Sequence, residues 1–149
     1  MLILFRDTLG FFPYPANGAW DIAFDKVFSP KLQASFNGTK FDAAGWKKWY
    51  HSVNKTIGTS FELFEHGFSN VVAVPNSVTD KGGFVAVTGW QGGRIRGMPA
   101  SAPGLNFTDA AFAVVQITSA GRKIVEFREM SNIPNTAQIV GAKNWTCSF

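Results

Sequence analysis

Two acidic residues on a predicted β-hairpin, Asp109 and Glu129, are the side chains of this sequence best placed to do chemistry. Residues 105–117 and 123–131 have the pattern of two strands, separated by a Ser-Ala-Gly turn. Both acids fall on faces whose other side chains are mostly apolar. A carboxyl group in such surroundings, near a second one, holds its proton more tightly, because desolvation and like charge both disfavour ionisation. The pattern therefore predicts a setting for general acid–base catalysis.

The pairing across this turn decides whether the two acids meet. If Ile117 pairs with Lys123, the acids become diagonal neighbours on adjacent strands, roughly 7–8 Å apart. That register places Ala111 opposite Glu129 and Ser131 opposite Asp109. The small side chains of Ala111 and Ala113 leave open volume above this part of the sheet. The alternative is that both acids lie at the rim of the sheet, or that one of them pairs with an arginine.

Further candidates lie outside the hairpin. His66 shares a face of a predicted strand with Phe64 and Phe68, so it can enter a pocket or serve as a hydrogen-bonded structural histidine. Tyr50 carries a hydroxyl that can hydrogen-bond a substrate oxygen. Aromatic residues make up 15% of the chain, which either an apolar pocket or a phenylalanine-rich core explains. The candidate lining of such a pocket is Tyr50, Trp90, Phe107, Ala111, Ala113, Phe127 and Ser131.

Helices come first and strands follow, an order typical of α+β proteins. Short helices are predicted within residues 1–10 and over residues 20–28, and a third begins at Asp42 and ends at Gly58. An apolar stripe on the third helix consists of Trp46, Trp49, Tyr50 and Val53. Strands are predicted at residues 31–36, 60–68, 70–74 and 84–90 and in the hairpin, with a bulge near Gly67 and a glycine-rich connection over residues 92–104.

Length and composition limit the class of protein. A chain of 149 residues suits a single domain over residues 1–149, with its core at about residues 18–135 and a tail at 136–149. The net charge of +4 is scattered, so we expect no nucleic-acid binding. The two histidines lack metal-ligand spacing, and no metal site is expected. The single Cys147 and an apolar start that is too short for a signal or membrane segment predict a cytoplasmic protein.

The order and spacing of several short motifs resemble those of SnoaL-like domains, which belong to the nuclear transport factor 2-like superfamily. The motifs run from Phe28-Ser29-Pro30 to Asn37-Gly38, and they continue with the tryptophan-rich helix and with Gly97-Met98-Pro99. The strand at residues 112–117 and the stretch Gly121-Arg122-Lys123-Ile124-Val125-Glu126 complete the pattern. The resemblance covers roughly residues 18–135. It is fairly specific for the fold and carries no information about the reaction.

The resemblance implies a cone, in which a strongly bent mixed or antiparallel sheet and N-terminal helices enclose an apolar pocket. Relatives include polyketide cyclases, ketosteroid isomerase and scytalone dehydratase, as well as proteins without catalytic activity. Glu129 falls where the polyketide cyclases carry their acid–base aspartate, and His66 matches a histidine common in SnoaL-like members. Ala113 stands where ketosteroid isomerase has a protonated aspartic acid, and Ala111 lies close to where the cyclases place a histidine. Many relatives form homodimers through the sheet.

The sequence as a whole favours a small enzyme without a cofactor that acts on an apolar, oxygenated and polycyclic metabolite. Glu129, with Asp109 or His66, would move a proton next to a carbonyl or hydroxyl group, in an isomerisation, cyclisation or dehydration. One alternative is a binding protein that holds a small ligand in the same pocket without a reaction. A second alternative is a dimeric interaction module whose sheet makes the contact.

Overall fold

The computed structural model describes residues 18–133, which form two helices and six strands. The predicted helix within residues 1–10 and the predicted tail at residues 136–149 lie outside the described residues. The helices are α1 (Ala19–Val27) and α2 (Ala43–Ser60). The strands are β1 (Phe28–Phe36), β2 (Thr39–Asp42), β3 (Phe61–Pro75), β4 (Gly83–Ile95), β5 (Leu105–Thr118) and β6 (Gly121–Ser131).

All six strands form one mixed sheet in the order β2-β1-β6-β5-β4-β3. Strands β1 and β6 pair in parallel, and every other neighbouring pair is antiparallel. Both helices pack on the same face, which we call the inner face, and the opposite side is the outer face. The architecture confirms the predicted α+β class with its N-terminal helices and mixed sheet. No helix within residues 18–133 is long and apolar enough to cross a membrane.

Helix α2 lies over the inner face with its side chains in contact with the sheet. Asp42 caps its first turn, since the carboxylate accepts a hydrogen bond from the amide of Gly45 at 2.7 Å. Trp46 and Tyr50 are buried as predicted, but the stripe then continues through Asn54 and Ile57 rather than through Val53. The helix also continues past Gly58 to Ser60, and its helical hydrogen bonding ends with the backbone amide of Phe61 donating to the carbonyl of Ile57.

In the β5–β6 hairpin the two acids have their predicted partners, although the pairing next to the turn differs from the prediction. The loop has two residues, so Ile117 pairs with Arg122 and the expected pairing of Ile117 with Lys123 is wrong by one position. A β-bulge follows, in which Val125 has no partner of its own between Val115 and Val114. The extra residue, Val125, shifts the pairing by one position and so restores the predicted register beyond it. The predicted pairs of Ala111 with Glu129 and of Asp109 with Ser131 are therefore confirmed.

Strands β3 and β4 are longer than the sequence predicted. The two strands predicted at residues 60–68 and 70–74 form one strand, Phe61–Pro75. It has register shifts between Phe61 and Leu63 and between Phe68 and Asn70, the second of them close to Gly67, where a bulge was predicted. Strand β4 includes Gly92 and Gly93, which the sequence assigned to a connection. A Cβ at Gly93 would overlap the backbone carbonyl of Leu63 on β3, so this glycine permits a close approach of two strands.

Candidate functional site

Glu129 lies on the inner face of the central strand β6, between Ala111 of β5 and Phe36 of β1. The residue is partly exposed, although protein surrounds its carboxyl group. Burial raises the pKa of Glu129 from 4.5 to about 8, and the charge of Asp109 acts in the same direction. Glu129 is therefore mainly protonated at neutral pH, and it can donate a hydrogen bond or a proton.

Asp109 projects across strand β4 because its partner there is a glycine. Gly89 lies directly opposite Asp109, and a Cβ at Gly89 would overlap the Oδ1 atom of the carboxylate. The Nε2 atom of Gln91 donates a hydrogen bond to Oδ2 of Asp109 at 3.1 Å. Burial raises the pKa of Asp109, whereas His66 and the backbone amides of Asp109 and Gly89 oppose that rise. Asp109 therefore has contacts that favour its ionised form, unlike Glu129.

His66 comes from strand β3 and completes the polar group on the far side of the site. It pairs with Gln91 of β4, on the same face as Phe64 and Phe68, and it is partly buried. Its ring lies 6.2 Å from the ring of Phe64, centroid to centroid. His66 acts electrostatically on Asp109, so two of the predicted catalytic residues are brought together across three strands.

Tyr50 faces the two acids from helix α2. The residue is buried, with 6% of its surface exposed. Burial and then the charges of Glu129 and Asp109 raise the pKa of its hydroxyl well above the usual value. The hydroxyl therefore stays protonated and can donate a hydrogen bond. Tyr50 and a protonated Glu129 together offer two neutral donors on the inner face.

The other predicted lining residues occupy three different environments. Ala111 is half-buried between the acids, as predicted. Ala113 and Phe127 are fully buried below the site, and Phe127 contacts Trp46 with ring centroids 5.6 Å apart. Phe107 belongs to a second buried cluster with Ile57 and Phe61.

Trp90 lies apart from the acids, whereas Ser131 lines a pocket together with Asp109. Trp90 lies on the outer face, with its indole against Gly67, so it does not share the face of Glu129. Alternation along β4 decides this, since Val87 and Gly89 face inward. Ser131 stands at the end of β6, where its hydroxyl donates to the carbonyl of Thr108 and accepts from the amide of Ile133.

Sequence reasoning missed three residues of the site. Gln91 holds Asp109, and Gly89 gives that side chain its space. Asn54 is 3% exposed and lies one helical turn after Tyr50, facing the same side. The spacing of Asn54 from Tyr50 was a usable signal. Gln91 carried none, because the glycines that follow it suggested a loop instead of a strand, and Gly89 carried none, because a glycine in a predicted strand does not show which side chain lies opposite it.

Within residues 18–133, no group of three or more histidine, cysteine, aspartate or glutamate side chains is arranged to hold a metal ion. The groups on the inner face are the carboxyls of Asp109 and Glu129, the imidazole of His66, the phenol of Tyr50 and the amides of Gln91 and Asn54. Such a set can hold, donate and accept protons beside an apolar molecule.

Comparison with known proteins identifies the fold. No protein-family model and no curated protein matches the sequence. Among solved structures, nuclear transport factor 2 from Cryptosporidium parvum has a TM-score of 0.56 and 17% identity, over 87% of this chain and 90% of that one. IdmH from Streptomyces antibioticus, described as a candidate polyketide cyclase, has a TM-score of 0.59 and 14% identity, over 87% and 90%.

A candidate scytalone dehydratase from Novosphingobium aromaticivorans is similar as well, with a TM-score of 0.57 and 17% identity over 87% of each chain. The chain therefore has the nuclear transport factor 2-like α+β fold. The resemblance predicted from the sequence motifs is confirmed at this level.

Replacing Gly89 with alanine should displace the Asp109 carboxylate, because the new methyl group would occupy its position. We expect a loss of about 1–3 kcal/mol in the free energy of unfolding. Adding Asp109→Ala should restore part of that loss, since one of the two overlapping groups is then absent. Urea denaturation of the single and double variants measures the coupling. Gly58→Ala, at an open helical position, is the control, and strictly additive losses would contradict the role of Gly89.

The raised pKa of Glu129 predicts a pH dependence of stability. Between its ordinary value of 4.5 and its folded value of about 8, the folded state binds more protons than the unfolded chain. The free energy of unfolding should therefore fall as the pH rises from about 6 to about 9. Glu129→Gln should flatten this dependence, as measured by urea denaturation at both pH values. An equally steep dependence in Glu129→Gln would show that another group is responsible.

Proposed function

We propose that this protein is a small enzyme that catalyses proton transfer on an apolar, oxygenated metabolite at the inner face, without a cofactor. The observation that carries the proposal is the convergence of Glu129, Asp109, His66 and Tyr50 from three strands and a helix onto one surface. Isomerisation, cyclisation and dehydration all need a donor at a substrate oxygen and a base near a carbon or hydroxyl.

The two acids take different roles in this proposal. Glu129 is neutral at pH 7 and, with the Tyr50 hydroxyl, donates hydrogen bonds to a carbonyl or leaving hydroxyl. Asp109 is held by Gln91 and acts with His66 as the proton acceptor. Donors placed in advance where charge develops are effective in a site with little water, because they need no reorganisation.

The charge of the site favours a neutral, apolar substrate. Among residues 18–133, Lys123 is the one buried cation, and its ammonium group donates to the carbonyls of Asp25 and Lys26 at the end of α1. Arg96 likewise donates to the carbonyl of Phe61, away from the acids. An anionic substrate would be repelled by the Asp109 carboxylate. The side chains of Lys123 and Arg96, which contribute to the positive net charge of the chain, therefore do not neutralise the acids of this site.

The proposal predicts catalysed exchange of α-protons on a simple bicyclic ketone, 2-tetralone, in deuterated buffer. Proton NMR gives the rate. Asp109→Asn should slow enzyme-dependent exchange by about a hundredfold or more, and Glu129→Ala by a similar factor, because each loses one partner of the transfer. Glu129→Gln should retain part of the rate, since its amide still donates a hydrogen bond but delivers no proton.

Glu65→Gln, at an exposed position on β3, serves as the matched control and should keep the wild-type rate. Rates within a few-fold of wild type for both Asp109→Asn and Glu129→Ala would refute the assignment. Saturable binding of 2-tetralone with exchange no faster than in buffer would favour the alternative, a binding protein with the same pocket.

We propose in addition that the protein forms a homodimer through the outer face of the sheet. Phe84 and Phe112 stack there at 5.9 Å, and both rings are exposed. Apolar surface concentrated on one face is typical of an interaction site. A concavity of about 420 Å³ lies beside the stack, between Ala86, Ala110 and Met130. The exposed apolar side chains of this face are Val72, Val74, Phe84, Trp90, Phe112 and Met130.

Phe112→Lys should convert the dimer to a monomer, because two copies would bring lysines together in an apolar contact. Sedimentation velocity over a range of concentrations gives the mass. Ile22→Lys is the matched control, since Ile22 is 74% exposed on α1 and lies off the sheet. A wild-type protein that sediments as a monomer at all concentrations would exclude this dimer.

A further inference from the structure

The asparagine between β1 and β2 makes an unusual number of contacts with the end of β6. Asn37 has a left-handed backbone conformation, with φ of 45°. Its backbone amide donates to the carbonyl of Glu129 at 3.0 Å. Its side-chain amide donates to the carbonyls of Ser131 and Ile133, both at 2.8 Å, and its Oδ1 accepts from the amide of Ser131 at 2.8 Å. One residue therefore makes four hydrogen bonds to residues 129–133.

These bonds begin where the β1–β6 ladder ends. The last backbone pair of that ladder joins Phe36 to Glu129. Beyond it, β1 turns away into the Asn37-Gly38 turn and leaves β6 without a neighbouring strand on that side. The Asn37 side chain supplies a donor and an acceptor where the next residues of β1 would have been. It thereby extends the pairing of β6 past Glu129.

We propose that Asn37 is a positioning residue that holds the backbone at Glu129 and just after it, so that the carboxyl group of Glu129 points onto the inner face. The inference rests on the proposed role of Glu129 as proton donor. We call the three side-chain hydrogen bonds of Asn37 the clamp. Without the clamp, the segment after Glu129 keeps only its bonds to β5 on the opposite side. The carboxyl group could then turn toward the rim, where water reaches it.

The side chain needed at this position is narrowly defined. Only a residue that tolerates positive φ suits the turn, which favours glycine, asparagine and aspartate. Glycine lacks the side chain, and an aspartate would present negative charge to the carbonyls of Ser131 and Ile133. Asparagine alone combines the left-handed conformation with two donors and one acceptor.

Asn37→Gly tests the proposal, since it keeps the backbone conformation and removes only the side-chain bonds. The carboxyl carbon of Glu129, assigned with Glu129→Gln, is titrated by carbon-13 NMR in wild type and variant. We expect the pKa of Glu129 to fall by about one unit or more as water reaches the group. Amide exchange at Ser131 should become at least about tenfold faster, because its acceptor is lost.

Asn76→Gly is the matched control, because Asn76 is an exposed loop asparagine whose amide bonds to Asp80 in the β3–β4 connection. It should change neither the pKa of Glu129 nor exchange at Ser131. Faster exchange at Ser131 in Asn37→Gly with an unchanged pKa of Glu129 would overturn the proposal and leave Asn37 a structural residue. An unchanged exchange rate would overturn it as well.

Should Asn37→Gly fail to fold, Asn37→Asp takes its place. Its own negative charge raises the pKa of Glu129, whereas loss of the clamp lowers it, so only a fall supports the proposal. A wild-type Glu129 that titrates near 4.5 would refute its role as a neutral donor, which is a separate result. The difference between variant and wild type still decides the role of Asn37.

Discussion

The antiparallel pairing of β5 with β6 is the constraint on which the site depends. These two strands lie in the middle of the sheet, so β4 and β1 take their positions from them. A shift of one residue in this pairing would place Asp109 and Glu129 on opposite faces of the sheet, because side chains alternate along a strand. The bulge at Val125 sets that register after a loop of only two residues. The inner face, the helices over it and the proposed chemistry follow from this pairing.

Different surroundings separate the two acids. Glu129 lies among apolar groups on a central strand, and burial and Asp109 both favour its protonated form. The Asp109 side chain lies against Gly89, where Gln91 donates a hydrogen bond to it, and burial raises its pKa while His66 opposes that rise. Two carboxyl groups on one surface can thus act as donor and acceptor at the same pH. The difference in protonation between the two carboxyl groups arises from the residues that surround each of them.

The two faces of the sheet present contrasting surfaces. The inner face is covered by aromatic side chains of both helices, of which Trp46 is completely buried. The outer face keeps large apolar groups in solvent, and among them Phe84 and Phe112 stack on each other. Alternation along β4 distributes side chains to both, which is why Trp90 belongs to the outer surface and Val87 to the core. A pocket and an interaction surface can therefore share the same strands.

The sequence by itself determined the α+β class, the inward face of the hairpin and the pairing of its acids, because alternation and helical spacing are local properties of the chain. It also predicted His66 and Tyr50 as candidate residues of the site. Only the tertiary structure decided that Asp109 reaches toward His66, since this depends on Gly89 and Gln91 of a strand that was predicted to end at Trp90. The clamp of Asn37 on β6 likewise joins residues more than ninety positions apart, and no local pattern records a contact of that kind.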